Sequence, residues 1–209
     1  AEKRQHIVVN AIDYCDVKVF CIALYGAIAK GKIFTFRTAA AFVKCIGSIS
    51  DQPLLERSDM IREENHNGGL ILVGSHTEKT TRQLNLLLET EGLSSMEFRC
   101  STLLESEEAF QKEIERCVAF EEKNIVRGNS VVVYTERTVL NSASDDKESA
   151  LARSVKISEG VLHLVKDLNI KPSFVIAKGG ITSSDVGTKG LGIRKALVLG
   201  QIEPGVPVW

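Results

Sequence analysis

The chain has 209 residues and a mass of 22.9 kDa, enough for one large domain or for one domain and part of another. Its 44% hydrophobic and 25% charged residues exclude a disordered or fibrous protein. A formal charge of −1 without a Lys/Arg run argues against nucleic-acid and anionic-membrane partners. No apolar run suggests a signal peptide or a membrane span. Five scattered cysteines, odd in number, indicate a reducing and hence cytoplasmic location.

The first fifty residues are predicted to alternate between strands and helices. His6 to Ala11 (HIVVNA) is a short apolar run, and the segment that follows as far as Lys30 has apolar residues at helical spacing. Gly31 is a predicted C-terminal cap for that helix. Lys32 to Phe36 (KIFTF) is predicted as a strand, and the Ala-rich segment Thr38 to Ile46 as a second helix.

Residues 47–67 lose this periodicity, while Pro, Ser, Asp and Glu accumulate. Such a composition is typical of a connector between packed units, so we predict a linker at 51–68 between units at 1–50 and 69–209. The alternative is a long surface loop within one domain, although loops of this length are uncommon in compact folds.

From residue 70 onwards, short apolar strands alternate with amphipathic helices. The predicted elements are strand 70–73, helix 80–90, strand 96–100, helix 107–120, strand 130–134, helix 148–168, strand 174–177, helix 184–191 and strand 196–199. Strands that are continuously apolar are buried on both faces. The sequence therefore predicts an α/β fold: a mostly parallel sheet with helices on both faces, and a small remnant of a second α/β domain at the N-terminus.

The first segment that suggests chemistry is ILVGSHTEKTTRQ, in which an apolar strand leads directly to Gly74-Ser75 and a helix rich in hydroxyl groups. Ligands of open α/β sheets bind at the carboxyl edge, and a glycine there lets an anion approach the backbone and the next helix. The simpler alternative is that Ser75 or Thr77 only caps the helix. His76 is interpreted as a surface loop residue.

The second segment, FVIAKGGITSSDV, places two glycines and then hydroxyl residues after a strand. Gly179 and Gly180 expose backbone N–H groups, and Thr182 and Ser183 add hydroxyl donors, an arrangement that suits a phosphate chain. The alternative is a tight turn needed only for packing. No GxxxxGK[ST] or GxGxxG motif occurs, which disfavours a Rossmann-type oxidoreductase.

Charged residues near these segments have less specific interpretations. Lys178 could contact a phosphate, but a single Lys at the edge of a loop is usually solvated. The acidic loop that contains Asp145 and Asp146 is more typical of an exposed turn than of a Mg²⁺ site, so no metal ligand is assigned.

Together the segments ILVGSHTEKTTRQL and AKGGITSSDVGTKGLGIRKALVLGQIEPGVPVW resemble the carboxyl-terminal nucleotide-binding domain of the four-carbon acid sugar kinases. Residues 179–183 (GGITS) match the GGxTS motif of that family, residues 204–207 match its PGVP segment, and Gly74-Ser75 matches its first nucleotide-binding turn. HIVVNAIDYCDV also resembles the last βα unit of the family's amino-terminal, substrate-binding domain.

The resemblance implies transfer of the γ-phosphoryl group of ATP to a hydroxyl of a tetronate or a 3-oxo-tetronate, with Mg²⁺ as cofactor. It implies two α/β domains with the reaction between them, where 1–50 is a remnant of the substrate domain and 69–209 the nucleotide domain. Separately from the resemblance, we predict Arg37 as a substrate contact, because an arginine directly after a predicted strand could bind a carboxylate with two hydrogen bonds. The alternative is a surface arginine at a helix start, and no catalytic base is identified. The residues expected to bind ATP are Ser75, Gly179, Gly180, Ile181, Thr182 and Ser183.

The chain also departs from the family pattern. The acidic DDxTG-like motif and the Gly-rich segment that follows PGVP do not occur, so we expect the sequence to fall short of the whole enzyme at both ends and to belong with other domains of a longer polypeptide. Ile181 and Asn10 replace residues that are acidic in many members. The alternative to a kinase is therefore a catalytically silent nucleotide-binding or interaction module derived from the family.

Overall fold

The computed structural model describes residues 6–61, 64–137 and 146–209. The chain divides into two compact units, with the division between Leu54 and Leu55. This division falls inside the segment 51–68, where the sequence predicts a linker. The roles of the two units in substrate and nucleotide binding remain predictions.

The first unit contains two helices, α1 (Tyr14–Ala29) and α2 (Ala40–Ile46). Asp13 caps the start of α1, and its carboxylate accepts hydrogen bonds from two backbone N–H groups of the first turn. Gly31 follows its C-terminus with φ +79, a left-handed conformation that favours glycine, as the sequence predicts.

The two strands predicted in the first unit are wrong: neither 6–11 nor 32–36 forms a strand. A strand requires a neighbour for its backbone N–H and C=O groups, and the described residues of this unit provide none. Aromatic contacts hold the second segment instead, since Phe36 and Phe42 have ring centroids 5.2 Å apart.

The second unit alternates strands and helices along the chain. Its strands are β1 (Leu70–Val73), β2 (Leu93–Phe98), β3 (Ser130–Thr135), β4 (Val175–Lys178), β5 (Gly200–Glu203) and β6 (Val206–Val208). Its helices are α3 (Arg57–Met60), α4 (Glu78–Leu88), α5 (Glu107–Ile125), α6 (Lys147–Lys166) and α7 (Gly180–Asp185), with a 3-10 helix at Cys100–Leu104 and a π-helical turn at Val186–Gly190. In the described residues, no helix has both the length and the apolar character needed to cross a bilayer.

Four strands form one parallel sheet in the order β2-β3-β1-β4. All four residues of β1 are buried, and they alternate between two cores. Leu70 and Leu72 pack in the core that contains residues of α5 and α6, whereas Ile71 and Val73 pack with Leu84 of α4. The predicted α/β class, with helices on both faces of a parallel sheet, is confirmed.

The ends of several elements differ from the prediction. The last strand was expected at 196–199, but β5 begins at Gly200 and pairs with β6 as an antiparallel hairpin. Gly205 in the connecting turn has φ +84, a conformation that favours glycine in tight hairpin turns. The turn brings β5 and β6 together, and their pairing determines where the strands lie. The helix predicted at 184–191 begins at Gly180 and continues as the π-helical turn.

The connections from the central strands leave on opposite faces of the sheet. Helix α4 follows β1 and packs on one face, while α6 follows the neighbouring β3 and packs on the other. Diverging connections of this kind open a crevice at the carboxyl edge of the sheet, which is the general ligand position in open α/β folds.

Candidate functional site

The turn after β1 and the loop after β4 meet at the carboxyl edge of the sheet. The two strands are parallel neighbours, paired as far as their last residues. A Cβ atom on Gly74 would lie 2.8 Å from Oγ1 of Thr182, and one on Gly179 would lie 3.5 Å from Cβ of Ser75. The structure therefore brings together the two segments that the sequence singled out, although they are about a hundred residues apart.

The two glycines after β4 differ in what makes glycine suitable at each position. Gly179 has φ +124, a conformation that residues with a side chain rarely adopt. A Cβ on Gly180, by contrast, would meet no atom within 4 Å. Protein packing does not require a glycine at this second position, and the space beside it is open for a ligand. Ile181 continues the backbone of α7.

A chain of hydroxyl groups connects the start of α4 to Ser75. Thr77 is the N-cap residue, and its side-chain oxygen accepts a hydrogen bond from the Thr80 backbone N–H. The Thr77 hydroxyl donates to Thr80 Oγ1 at 2.9 Å, and the buried Thr80 hydroxyl donates to Ser75 Oγ at 3.3 Å. Thr77 therefore fills the capping role, while Ser75 accepts a bond and keeps its own proton for another acceptor.

The hydroxyl groups after β4 are not equivalent. Ser183 donates its hydroxyl proton to the carbonyl oxygen of Gly180 at 3.1 Å, and its backbone N–H donates to the carbonyl oxygen of Gly179 at 2.8 Å. Thr182 lies against Gly74 of the neighbouring turn. The predicted contacts of both residues with ATP remain predictions, and the geometry favours Thr182 as the residue closer to the meeting point.

The end of β3 contributes polar groups to the same edge. The carboxylate of Glu136 accepts hydrogen bonds from the backbone N–H of Ser101 and from its hydroxyl, the latter at 2.8 Å. The carbonyl oxygen of Glu136 lies 2.9 Å from Nε2 of His76. His76 is exposed, as the sequence suggests, but this contact orients its ring at the β1 turn.

Arg137 is the site residue that sequence reasoning missed. Its Nη2 donates to the carbonyl oxygen of Ser75 and, at 3.0 Å, to Oγ1 of Thr81. Burial lowers the pKa of the Arg137 guanidinium. A signal was available, because Arg37 was selected as an arginine that follows a predicted strand, and Arg137 stands just beyond β3.

Arg37 itself lies in the first unit, exposed in the irregular segment before α2. Its predicted contact with the substrate carboxylate remains a prediction. Lys178, the last residue of β4, is also exposed at the edge of the loop.

A small cavity of about 40 Å³ opens beside the two turns and is lined by Gly74, Thr135, Thr182 and Asp185, among others. Asp185 forms an ion pair of 3.0 Å with Lys189. Within the described ranges, no three His, Cys, Asp or Glu side chains are grouped to hold a metal ion. Asp146 caps α6 by accepting from the Ser149 N–H at 2.8 Å, and Asp145 lies outside the described residues.

A larger cleft of about 820 Å³ lies at the opposite, amino edge of the sheet. Part of its polar lining already serves the fold: Asn67 Nδ2 donates to the Lys171 carbonyl at 2.8 Å, and Ser130 Oγ accepts from the Gly69 N–H at 3.0 Å. The carboxyl edge is therefore the stronger candidate, since it combines open glycine backbone, a hydroxyl with a free proton and a partly buried cation.

Fold and site together define an α/β nucleotide-binding domain. Residues 70–209, more than half of the chain, match the family model described as a nucleotide-binding C-terminal domain. The chain belongs to this family, the C-terminal domain of the four-carbon acid sugar kinases. No curated protein and no solved structure matches the chain.

Proposed function

We propose that this chain binds ATP at the carboxyl edge of its sheet, as the nucleotide-binding part of a kinase that phosphorylates a hydroxyl of a four-carbon sugar acid, a tetronate or a 3-oxo-tetronate. Nucleotide binding is the family's general property. The observation that supports the site is the close approach of Gly74 and Ser75 to Gly179 and Thr182.

The chemistry of a phosphate chain fits the groups at this edge. Gly179 and Gly180 leave the backbone accessible, and the N-terminus of α4 carries a partial positive charge that favours an anion. The Ser75 hydroxyl accepts from Thr80 and has its own proton to donate to a phosphate oxygen. Phosphoryl transfer depends mainly on such positioning and electrostatics.

Mg²⁺ would neutralise negative charge on the phosphate oxygens during transfer. In nucleotide sites it is usually held by one or two carboxylates together with the phosphates. Asp185 lines the same small cavity as Gly74 and Thr182, but Lys189 pairs with its carboxylate, and Ile157 and Val161 make part of the lining apolar. Asp185 would therefore contribute to a Mg²⁺ site only by exchanging Lys189 for the metal, with the phosphates supplying the other ligands.

Calorimetric titration with Mg·ATP tests the site through Gly180→Val. The added side chain starts in open space, so the variant should fold, but it occupies the position proposed for the ligand. We expect its affinity for Mg·ATP to fall by at least ~10-fold. Gly190→Ala is the matched control, because its Cβ would make an ordinary 3.6 Å contact with Val165. Equal affinity in Gly180→Val and in the wild type would refute this position.

A transfer assay addresses the sugar acid. ATP consumption is measured with a panel of tetronates and 3-oxo-tetronates, beside Ser75→Ala. The loss of a hydrogen bond to a charged phosphate should weaken ATP binding about 10-fold or more. Binding without transfer to any acid in the panel would support the silent nucleotide-binding module instead, and no nucleotide binding would contradict both.

A further inference from the structure

Arg137 carries a charge that the described part of the protein does not neutralise. Nε and Nη1 are removed from solvent and have no hydrogen-bond partner among the residues that the structure describes. The neighbouring carboxylate, Glu136, binds Ser101 instead. Guanidinium groups stay protonated in proteins, so burial does not remove this charge.

Arg137 is partly buried, and guanidinium nitrogens that are removed from solvent without a partner are costly to the fold. Such a group is retained where an anion completes its environment, and perturbed groups of this kind are concentrated at functional sites. Arg137 donates a hydrogen bond to the Ser75 carbonyl, in the turn after β1. The Ser75 hydroxyl in the same turn still has a proton to donate. An anion held by Ser75 would therefore lie in the field of the Arg137 guanidinium.

We infer that Arg137 supplies the positive charge that holds the phosphate chain of the nucleotide at the Ser75 turn. This inference rests on the proposed function. It explains why an arginine just beyond β3 reaches across to the turn after β1. It also makes Arg137 a specificity residue, which favours nucleoside polyphosphates over nucleosides.

The test is a series of titrations with adenosine, AMP, ADP, ATP and inorganic tripolyphosphate. Arg137→Met removes the charge but keeps a long side chain. We expect at least ~10-fold weaker binding of ATP and tripolyphosphate, with adenosine changed less than ~2-fold. Arg127→Met is the matched control, because this exposed arginine precedes β3 at the amino edge and its loss changes the net charge equally.

A second variant separates charge from support of the turn. Thr81→Val removes one acceptor of the Arg137 Nη2 group but leaves the guanidinium and its bond to Ser75. We expect its ATP affinity to stay within ~2-fold of the wild type, with the usual decline as salt rises. Arg137→Met should show a flatter decline with salt.

The outcomes distinguish this inference from the proposed function. ATP binding that is unchanged in Arg137→Met, or equal losses for adenosine and ATP, would overturn the role of Arg137 while leaving the nucleotide site in place. If tripolyphosphate binding depends on Arg137 and ATP binds no more tightly than tripolyphosphate, the role of Arg137 is supported, but specificity of the site for ATP is refuted. A wild-type chain that binds none of the five probes would overturn both.

Discussion

The hydroxyl oxygen of Thr182 lies 2.8 Å from the point that a Cβ atom on Gly74 would occupy. Non-bonded atoms do not approach a real Cβ this closely, so glycine at this position is determined by a tertiary contact. The two residues belong to different βα turns, and their contact couples the positions of the turns.

We expect Gly74→Ala to destabilise the protein by ~1–3 kcal/mol, because Thr182 must move away from the new methyl group. Thr182→Ala removes the clashing oxygen, so the double variant should recover part of the loss, with a coupling energy of about 1 kcal/mol. Urea unfolding of the four proteins measures this cycle. Strictly additive effects would show that the turns are not coupled through this contact.

Local patterns in the sequence were sufficient to predict the parallel sheet and the two turns. Apolar runs such as Val131 to Val133 are buried on both faces, and Gly179 after β4 has φ +124, a turn conformation that favours glycine. Each of these features depends on residues close together in the chain. The convergence of the turns then follows from the rule that parallel strands share a carboxyl edge.

Contacts between distant residues could not be predicted in the same way. The position of Arg137 just beyond a predicted strand is a local signal, but its hydrogen bond to the carbonyl of a residue 62 positions earlier is not. The apolar segments 6–11 and 32–36 have the composition of strands, yet strand formation also depends on a partner that composition does not reveal. Two glutamates buried on α5 were missed for a similar reason, since charged residues are rarely expected in a core.

Gly160 of α6 packs against the aromatic pair of the main core. A Cβ there would lie 2.5 Å from Cζ of Phe110 and 3.0 Å from Cζ of Phe98, two buried rings with centroids 5.5 Å apart. Gly→Ala normally stabilises a helix by up to ~1 kcal/mol. We expect overpacking to dominate here, with a net loss of ~1–2 kcal/mol in Gly160→Ala, measured by urea unfolding.

The control for Gly160 is Gly26→Ala in α1, where the new methyl group meets no atom within 4 Å. This substitution should not destabilise the first unit. In addition, Phe110→Leu should lower the stability less in the Gly160→Ala background than in the wild type. The smaller side chain relieves the clash with the new methyl group. A stabilising effect of Gly160→Ala would mean that α6 shifts freely over the rings.

Glu113 is a buried carboxylate held by two arginines. Burial raises its pKa, but hydrogen bonds from the Arg116 and Arg99 side chains and from the Arg99 backbone N–H outweigh this and lower the pKa to about 2. The folded pKa lies below the unfolded value, so the carboxylate stabilises the fold above about pH 4.5. This stabilisation is lost as the pH falls from 4.5 towards 2.

We expect Glu113→Gln to lose roughly 2 kcal/mol of stability at pH 7. This loss is smaller than that for breaking a fully buried salt bridge, because both arginines are partly exposed and remain solvated. Its stability should also depend less on pH between 2 and 4.5. Urea unfolding across that range measures both effects. If the free energies of unfolding of the variant and the wild type change in parallel over this pH range, Glu113 is not the group responsible for the loss of stability in acid.

Glu121 has the opposite electrostatic situation on the same helix. It is fully buried one turn from Cys117 and from Ile125, and neither carboxyl oxygen has a partner among the described residues. Burial, and to a lesser extent the charge of Glu122, raises the pKa of Glu121 well above 4.5. The carboxyl group is therefore protonated in the folded protein under conditions that ionise it in the unfolded chain.

The sign of the linkage follows from these protonation states. Above pH 4.5 the unfolded chain releases the Glu121 proton and the folded protein keeps it, so stability falls as the pH rises towards the folded pKa. Glu121→Met is similar in size but has no titrating group. We expect its free energy of unfolding to rise relative to that of the wild type by up to ~1.4 kcal/mol per pH unit in this window. Urea unfolding at pH 5, 6, 7 and 8 measures the difference, and Glu115→Gln, at an exposed position of α5, is the control. A constant difference between Glu121→Met and the wild type across these pH values would show that Glu121 finds a partner or solvent in the folded state.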